Sequence, residues 1–264
     1  MTTPPPSRAR PQAGWPWQTI GLVAIVLAVW ETAIALGWYR GIFFPAPSAI
    51  VRSLAGSVAS GTLGPHLGAT LGRVVIGLLV GGTAGFLIGL AMGWWGRLRR
   101  IFDPLVAAAH PVPKLTLFPL FIVLAGIGEA SKVLVVSTAA FFPMLINTMA
   151  GVRQISPIYF DVARNYGASP AQVFRRVLIP GSLPFALSGV RLAANVAFLS
   201  TVAVEMVMAE RGLGSLIWLS WQVLRVEQLF ATLFVIAGFG ICLNGSLKWM
   251  AARAAPWLGE HGPG

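Results

Sequence analysis

Apolar residues in this chain fall into runs long enough to cross a bilayer, and that constrains the fold more than any other feature. A membrane-spanning helix needs about 20 mostly apolar residues. Six stretches approach that length: 17–38, 72–95, 105–126, 133–149, 183–208 and 229–250. In hydrocarbon every backbone N–H and C=O must be satisfied internally, so a spanning segment is a helix or part of a closed barrel. Continuous runs of this length select helices. The expected fold class is an all-α membrane protein with about six transmembrane helices. Only 10% of the 264 residues are charged, against about 25% in soluble domains. That excludes a soluble globular protein, and the apolar content excludes disorder for most of the chain.

The chain carries a net charge of +11. Nucleic-acid binding would place such an excess on one polar face. Here the cations lie between apolar runs, as the positive-inside rule requires. With the N-terminus inside, the inner loops hold eleven: Arg8, Arg10, Arg97, Arg99, Arg100, Arg153, Arg164, Arg175, Arg176, Lys248 and Arg253. The outer loops hold five: Arg40, Arg52, Lys132, Arg211 and Arg225. Arg73, Lys114 and Arg191 lie in or at the edges of spans and are unassigned. The count places both termini in the cytoplasm. Residues 1–14 and 256–264 read as tails around one transmembrane domain, 15–255. The first run is too long for a signal-peptide core and is expected to be retained. Trp15, Trp17, Trp38 and Tyr39 bracket it as interfacial aromatics.

Within the second run Gly77, Gly81, Gly85, Gly89 and Gly93 repeat every four residues. They form a stripe on one helix face that admits close approach of another helix. His110, Pro111, Pro113, Lys114 and Pro119 interrupt the third run, which is one broken helix or two. Between the first two spans, Pro47-Ser48 predicts a short outer helix carrying Ile50, Val51, Leu54 and Val58, with Ser48 as its N-cap. That helix lies on the membrane surface or packs as a second layer.

The loop 151–181 is too ordered for a bare connection. Ser156-Pro157 starts a helix, Gly167 permits a reversal with positive φ, Ser169-Pro170 starts a second helix, and Pro180 and Pro184 end it. Over this stretch the chain resembles the permease subunits of bacterial ABC importers, whose loop reads E-A-A-x3-G-x9-I-x-L-P. Asp161-Val162-Ala163, Gly167, Val177, Ile179 and Pro180 stand at that spacing. Ala163, Gly167 and Pro180 are identical to the pattern, and the other four are conservative departures. The segments PVPKLTLFPLFIVLAGIGEASKV, FFPMLINTMAGVR and VEMVMAERGLGSLI, with Pro45-Ala46-Pro47-Ser48 and His66…Arg73, are similar to the nitrate, sulfonate and taurine permease group.

The resemblance implies a type I importer permease that forms the path for a small anionic solute. It implies a second permease copy, two cytoplasmic ATPase subunits, an extracytoplasmic binding protein and a bacterial inner membrane. ATPase coupling falls to Asp161, Ala163, Arg164, Tyr166, Gly167, Ala168, Ser169 and Pro180. Arg164, Arg175 and Arg176 pair with acidic ATPase residues or simply enforce topology.

No G-x4-G-K-[ST] phosphate loop, H-E-x-x-H metal motif or G-x-S-x-G elbow occurs. The expectation is a non-enzyme that binds no cofactor or metal, with ATP and Mg²⁺ on the partner ATPase. Cys242 is the only cysteine. Ionisable groups inside a span are costly and point to function. These are Glu31, Lys114, Arg191 and Glu205, and Arg191 is near enough to an end to snorkel. His110 and Lys114, four apart, lead the substrate-path candidates, followed by Asn195, Ser200, Thr201 and Glu205. The neutral three also suit helix-to-helix hydrogen bonds. A solitary channel or secondary transporter is the alternative reading; it leaves the ordered loop without a purpose.

Overall fold

The computed structural model describes residues 15–38 and 43–255. The two tails, with Arg8, Arg10 and His261, and the residues Tyr39 and Arg40 lie outside the described residues. The described chain contains no strand. Its helices are α1 (Trp15–Ala35), α2 (Pro47–Ala59), α3 (Leu63–Trp94), α4 (Gly96–Ala109), α5 (Phe118–Ala125), α6 (Glu129–Gln154), α7 (Pro157–Asn165), α8 (Pro170–Val173), α9 (Ile179–Met208), α10 (Leu213–Gln222) and α11 (Val226–Ala254). Five segments are long and apolar enough to cross a membrane: 17–35, α3, α6, the continuous helix from Pro170 to Met208, and α11. Counted as one span, the bent pair Gly96–Ala109 and Lys114–Ala125 makes a sixth.

The glycine stripe finds its partner in α6. A Cβ on Gly77 would strike Val136, on Gly81 the carbonyl of Ser137, on Gly85 the carbonyl of Phe141, on Gly89 the carbonyl of Leu145, and on Gly93 the side chain of Val152. Both series ascend together, so α3 and α6 run parallel with backbones in near contact. Without a hydrophobic drive between helices in lipid, such packing is what holds them. Helix α9 lies antiparallel to α6, with Gly151 against Phe185 and Gly189 against Asn147 and Met144. Val136, Ala140, Met144, Ala186, Ala193 and Ala197 form the central buried cluster of this pair. Helix α11 continues the antiparallel order. Phe198 stacks on Phe239 at 4.7 Å, and Asn195 and Asn244 exchange hydrogen bonds of 2.9 and 3.2 Å. The end of the bundle carrying 155–169 is called the loop end below, and the opposite end the far end.

Four local expectations are corrected. The third span, expected over about 105–126 as one broken helix or two, is two helical segments and starts earlier. Helix α4 begins at Gly96 and carries Arg97, Arg99 and Arg100, which the sequence places in a loop; it ends at Ala109, and Lys114–Ala125 turns off at 95°. Pro111 and Pro113 explain the break, because neither donates to a helix ladder. Second, Pro180 and Pro184 do not end a helix. A π turn over Phe174–Leu178 precedes Pro180, and the helix runs on through both prolines. A widened turn of this kind absorbs disturbed i→i−4 bonds. Third, Ser48 is not the N-cap of α2. Ala46 occupies that position, and Ser48 donates its N–H and its hydroxyl to Glu31 of α1 at 3.0 and 2.7 Å. Glu31 therefore does the capping. Helix α2 packs on α1 and α11, burying Ile50 while Val51 and Val58 stay exposed. Fourth, α3 starts at Leu63 and α6 runs from Glu129 to Gln154, past the expected limits of 72–95 and 133–149, and the charged residues added to α6, Glu129 and Lys132, pair with each other.

Candidate functional site

Two regions concentrate polar chemistry. At the loop end, α7 starts at Ser156-Pro157 and stops at a left-handed glycine, Gly167, with φ of +70°. The Gly167 N–H donates to the carbonyl of Arg164 and the Ala168 N–H to that of Ala163, both at 2.9 Å. That pair is a Schellman motif, which satisfies the orphan carbonyls of a helix end. The next helix opens on a capping box. Ser169 Oγ accepts from the Gln172 N–H at 3.3 Å, and Gln172 Oε1 accepts from the Ser169 N–H at 2.7 Å. The expected helix, glycine turn, helix is thus present, and its turn is fixed by short-range bonds.

This turn faces outward. Tyr166 is 88% exposed, and Ile158, Tyr159 and Val162 are exposed with it. Ile158, Val162 and Tyr166 stand four apart, an apolar stripe on one face. Asp161, Arg164, Arg175, Arg176 and Pro180 are also exposed. The guanidinium groups make no hydrogen bond or ion pair among the described residues. The inner face of α7 docks through Phe160 on Trp94 at the end of α3, ring centroids 5.7 Å apart. Sequence reasoning placed Asp161, Ala163 and 166–169 at the turn and passed over Ile158 and Tyr159. The signal for Ile158 was the four-residue apolar spacing with Val162 and Tyr166 inside a polar loop.

At the far end the bundle is tied by Arg73 of α3. Its guanidinium donates from Nε and Nη2 to the two oxygens of Glu129 at 2.7 Å each, and from Nη1 to Glu205 at 2.7 Å and the Arg211 carbonyl at 2.6 Å. Lys132 donates to Glu129 at 3.0 Å. Glu205 is 0% exposed. It also accepts from Thr70 Oγ1 at 2.9 Å and from the Gly214 N–H at 3.0 Å. Thr70 accepts the Leu213 N–H, and His66 Nδ1 lies 3.1 Å from the Gly212 nitrogen. The stretch Gly212-Leu213-Gly214 wraps the carboxylate. Gly212 has φ of +145°, and a Cβ there would fall on the Glu205 carboxyl. A buried charge is tolerable when it is paired and fully hydrogen-bonded, and here one cation and several donors meet that need. A cavity of about 510 Å³ opens beside Arg73, bordered by Glu129, Lys132, Glu210 and Arg211.

The path candidates are scattered. Lys114 Nζ donates to the carbonyls of Ala109, His110 and Val112 at 2.8–2.9 Å, and sits 4.2 Å from the Phe142 ring centroid. It caps the exposed carbonyl end of α4. His110 and Lys114 come together across the break and not along a helix face. Asn195 is engaged by Asn244 and Thr201 by the Ala197 carbonyl, while Ser200 is half-buried without a hydrogen bond among the described residues. Glu205, grouped with the path by sequence, has both oxygens occupied and no exposed surface. Arg191 is half-buried with its Nε unpartnered.

The family of binding-protein-dependent transport system inner membrane components matches residues 77–258. The chain belongs to this family. The taurine transport system permease protein TauC of Escherichia coli (strain K12) is 35% identical over 247 residues, covering 92% of this chain and 90% of that protein. A Bacillus subtilis (strain 168) protein named for aliphatic sulfonates transport, SsuC, is 31% identical over 252 residues, covering 96% and 91%. The inward-facing MetNI methionine ABC transporter shares the fold, with a TM-score of 0.55 at 17% identity over 79% of this chain and 97% of that one.

The family match begins at Gly77, so it takes in the glycine stripe, the loop and Glu205 but stops short of Arg73. The permease's charged hub therefore joins a residue outside the matched stretch to two within it. Sequence reasoning missed that hub: Arg73 stood unassigned and Glu129 was not considered. The available signal was two intramembrane charges of opposite sign, each demanding a partner.

Proposed function

We propose that this chain is the permease subunit of an ATP-driven importer, forming with a second copy the path for a small sulfonate such as taurine. The loop end lies in the cytoplasm, as do both termini, and an extracytoplasmic binding protein delivers solute at the far end. Two ATPase subunits bind ATP and Mg²⁺; this chain supplies no nucleotide site. The observation that carries the reading is the exposed, rigidly capped turn around Tyr166 and Gly167 in a chain of this family. An exposed apolar stripe flanked by unpaired arginines is a surface built for a partner. The 35% identity to a taurine permease over nearly the whole chain supports the substrate class.

The test is uptake by cells expressing the complete transporter. Gly167→Pro forces φ to about −65° where the turn needs +70°. The variant is expected to insert and to bind its ATPase weakly, with uptake lost while the ATPase retains its unstimulated hydrolysis. Full uptake in that variant sinks the coupling assignment. Normal uptake of a neutral solute with no response to taurine or alkanesulfonates sinks the substrate class.

A further inference from the structure

From the groove beneath α4 we infer a seat for one anionic phospholipid of the leaflet at the loop end. The inference rests on the chain being a membrane permease, and on neither its substrate nor its coupling partner. The groove has a volume of about 440 Å³ and lies between α4 and the α3–α6 pair. Ile88 and Met92 of α3, Phe141 and Leu145 of α6, and Phe102 and Leu105 of α4 line it; no charged side chain borders it. From Leu98 to Ala109 it follows α4 for ~17 Å at ~1.5 Å per residue. That is close to half of the roughly 30 Å hydrocarbon thickness of a bilayer, the depth one acyl chain occupies.

The headgroup end is set by charge. Arg97, Arg99 and Arg100 stand in the first turns of α4, flanking and following Leu98. None of their guanidinium groups makes a hydrogen bond or ion pair among the described residues, and Asp103, one turn on, is not within ion-pair distance. Cations at a helix N-terminus oppose the helix dipole, so three unpaired arginines there leave an uncompensated positive field. A phosphate at that level relieves it, and basic pockets between membrane helices recognise such headgroups. Trp94 and Trp95, both exposed, mark the same level as the interface. An apolar slot about one leaflet deep, with three unpaired cations in the α4 turn that carries its Leu98 end, matches a phospholipid with a negative headgroup.

The full chain, co-expressed with its ATPase and purified in mild detergent, tests this. Retained lipid is read by mass spectrometry, and the unfolding temperature is read with added phosphatidylglycerol, phosphatidylcholine or inorganic phosphate. The expected result is retained phosphatidylglycerol and a rise in unfolding temperature with that lipid alone. Replacing all three arginines by Gln should weaken phosphatidylglycerol binding on the order of 100-fold, from about fivefold per cation. The triple Arg→Lys variant should keep it. Leu105→Trp, which fills the slot and leaves the charges, should also lose it, and decides the matter if the Gln variant does not accumulate. Retention by Leu105→Trp, stabilisation by inorganic phosphate, or a disulfide between two copies of Phe102→Cys would each overturn the proposal.

Discussion

The two ends of the bundle use the same device to opposite purposes. Each turns the chain on a glycine with positive φ, Gly212 at the far end and Gly167 at the loop end, and each leads straight into a helix. Around Gly212 the buried charges are answered: Arg73, 4% exposed, is enclosed by two carboxylates and a carbonyl. Around Gly167 the arginines are unanswered and the aromatic ring points outward. A Cβ on Gly212 would meet Glu205, whereas nothing lies within 4 Å of one on Gly167. The difference teaches that a glycine turn is a folding element where its surroundings are complete, and a contact element where they are left open.

Substitutions can break or sharpen that contrast, and their expected costs in stability descend in order. Arg73→Ala leaves Glu205 buried without its cation, and should cost about 3–5 kcal/mol. Thermal unfolding in detergent, or failure of the chain to accumulate, reads this. Gly212→Ala combines a glycine-only backbone, of order 1–3 kcal/mol, with the overlap on Glu205. Unfolding should again fall, whatever the ATPase does. Gly167→Ala carries only the left-handed penalty of roughly 1–2 kcal/mol, with no overlap to relieve. Its unfolding should shift less than that of Gly212→Ala, and a shift of equal size would erase the contrast. Tyr166→Ala should change stability by less than about 0.5 kcal/mol yet reduce ATPase co-purification and uptake. Unchanged co-purification would make the loop end another folding element.

Most of the architecture was legible because it rests on short-range chemistry. The apolar runs are set by hydrocarbon thickness, the five glycines by their four-residue spacing, and the loop by Ser-Pro starts flanking Gly167. What the sequence left hidden depends on residues far apart or on compensation. Arg73 and Glu205 are separated by 132 positions, and no local pattern pairs them. Glu205 and Asn195 looked like path residues because a lone polar group in a span suggests solute; each instead has a protein partner. Pro180 and Pro184 looked like a helix stop because the π turn that accommodates them has no signature of its own. Lys114 looked free for the same reason: its partners are carbonyls, which every residue has.

The uninterrupted helix from Pro170 to Met208 has a mechanical consequence. Its 39 residues span ~58 Å at ~1.5 Å each. One tip is the capped turn at Ser169 and the other bears Glu205, clasped by Arg73. The outward-facing surface and the sealed cluster are thus the two ends of one shaft. A push delivered at Ser169 meets no break in the helix before it reaches the carboxylate, and the π turn and Pro184 are the two places where its regular bonding is disturbed.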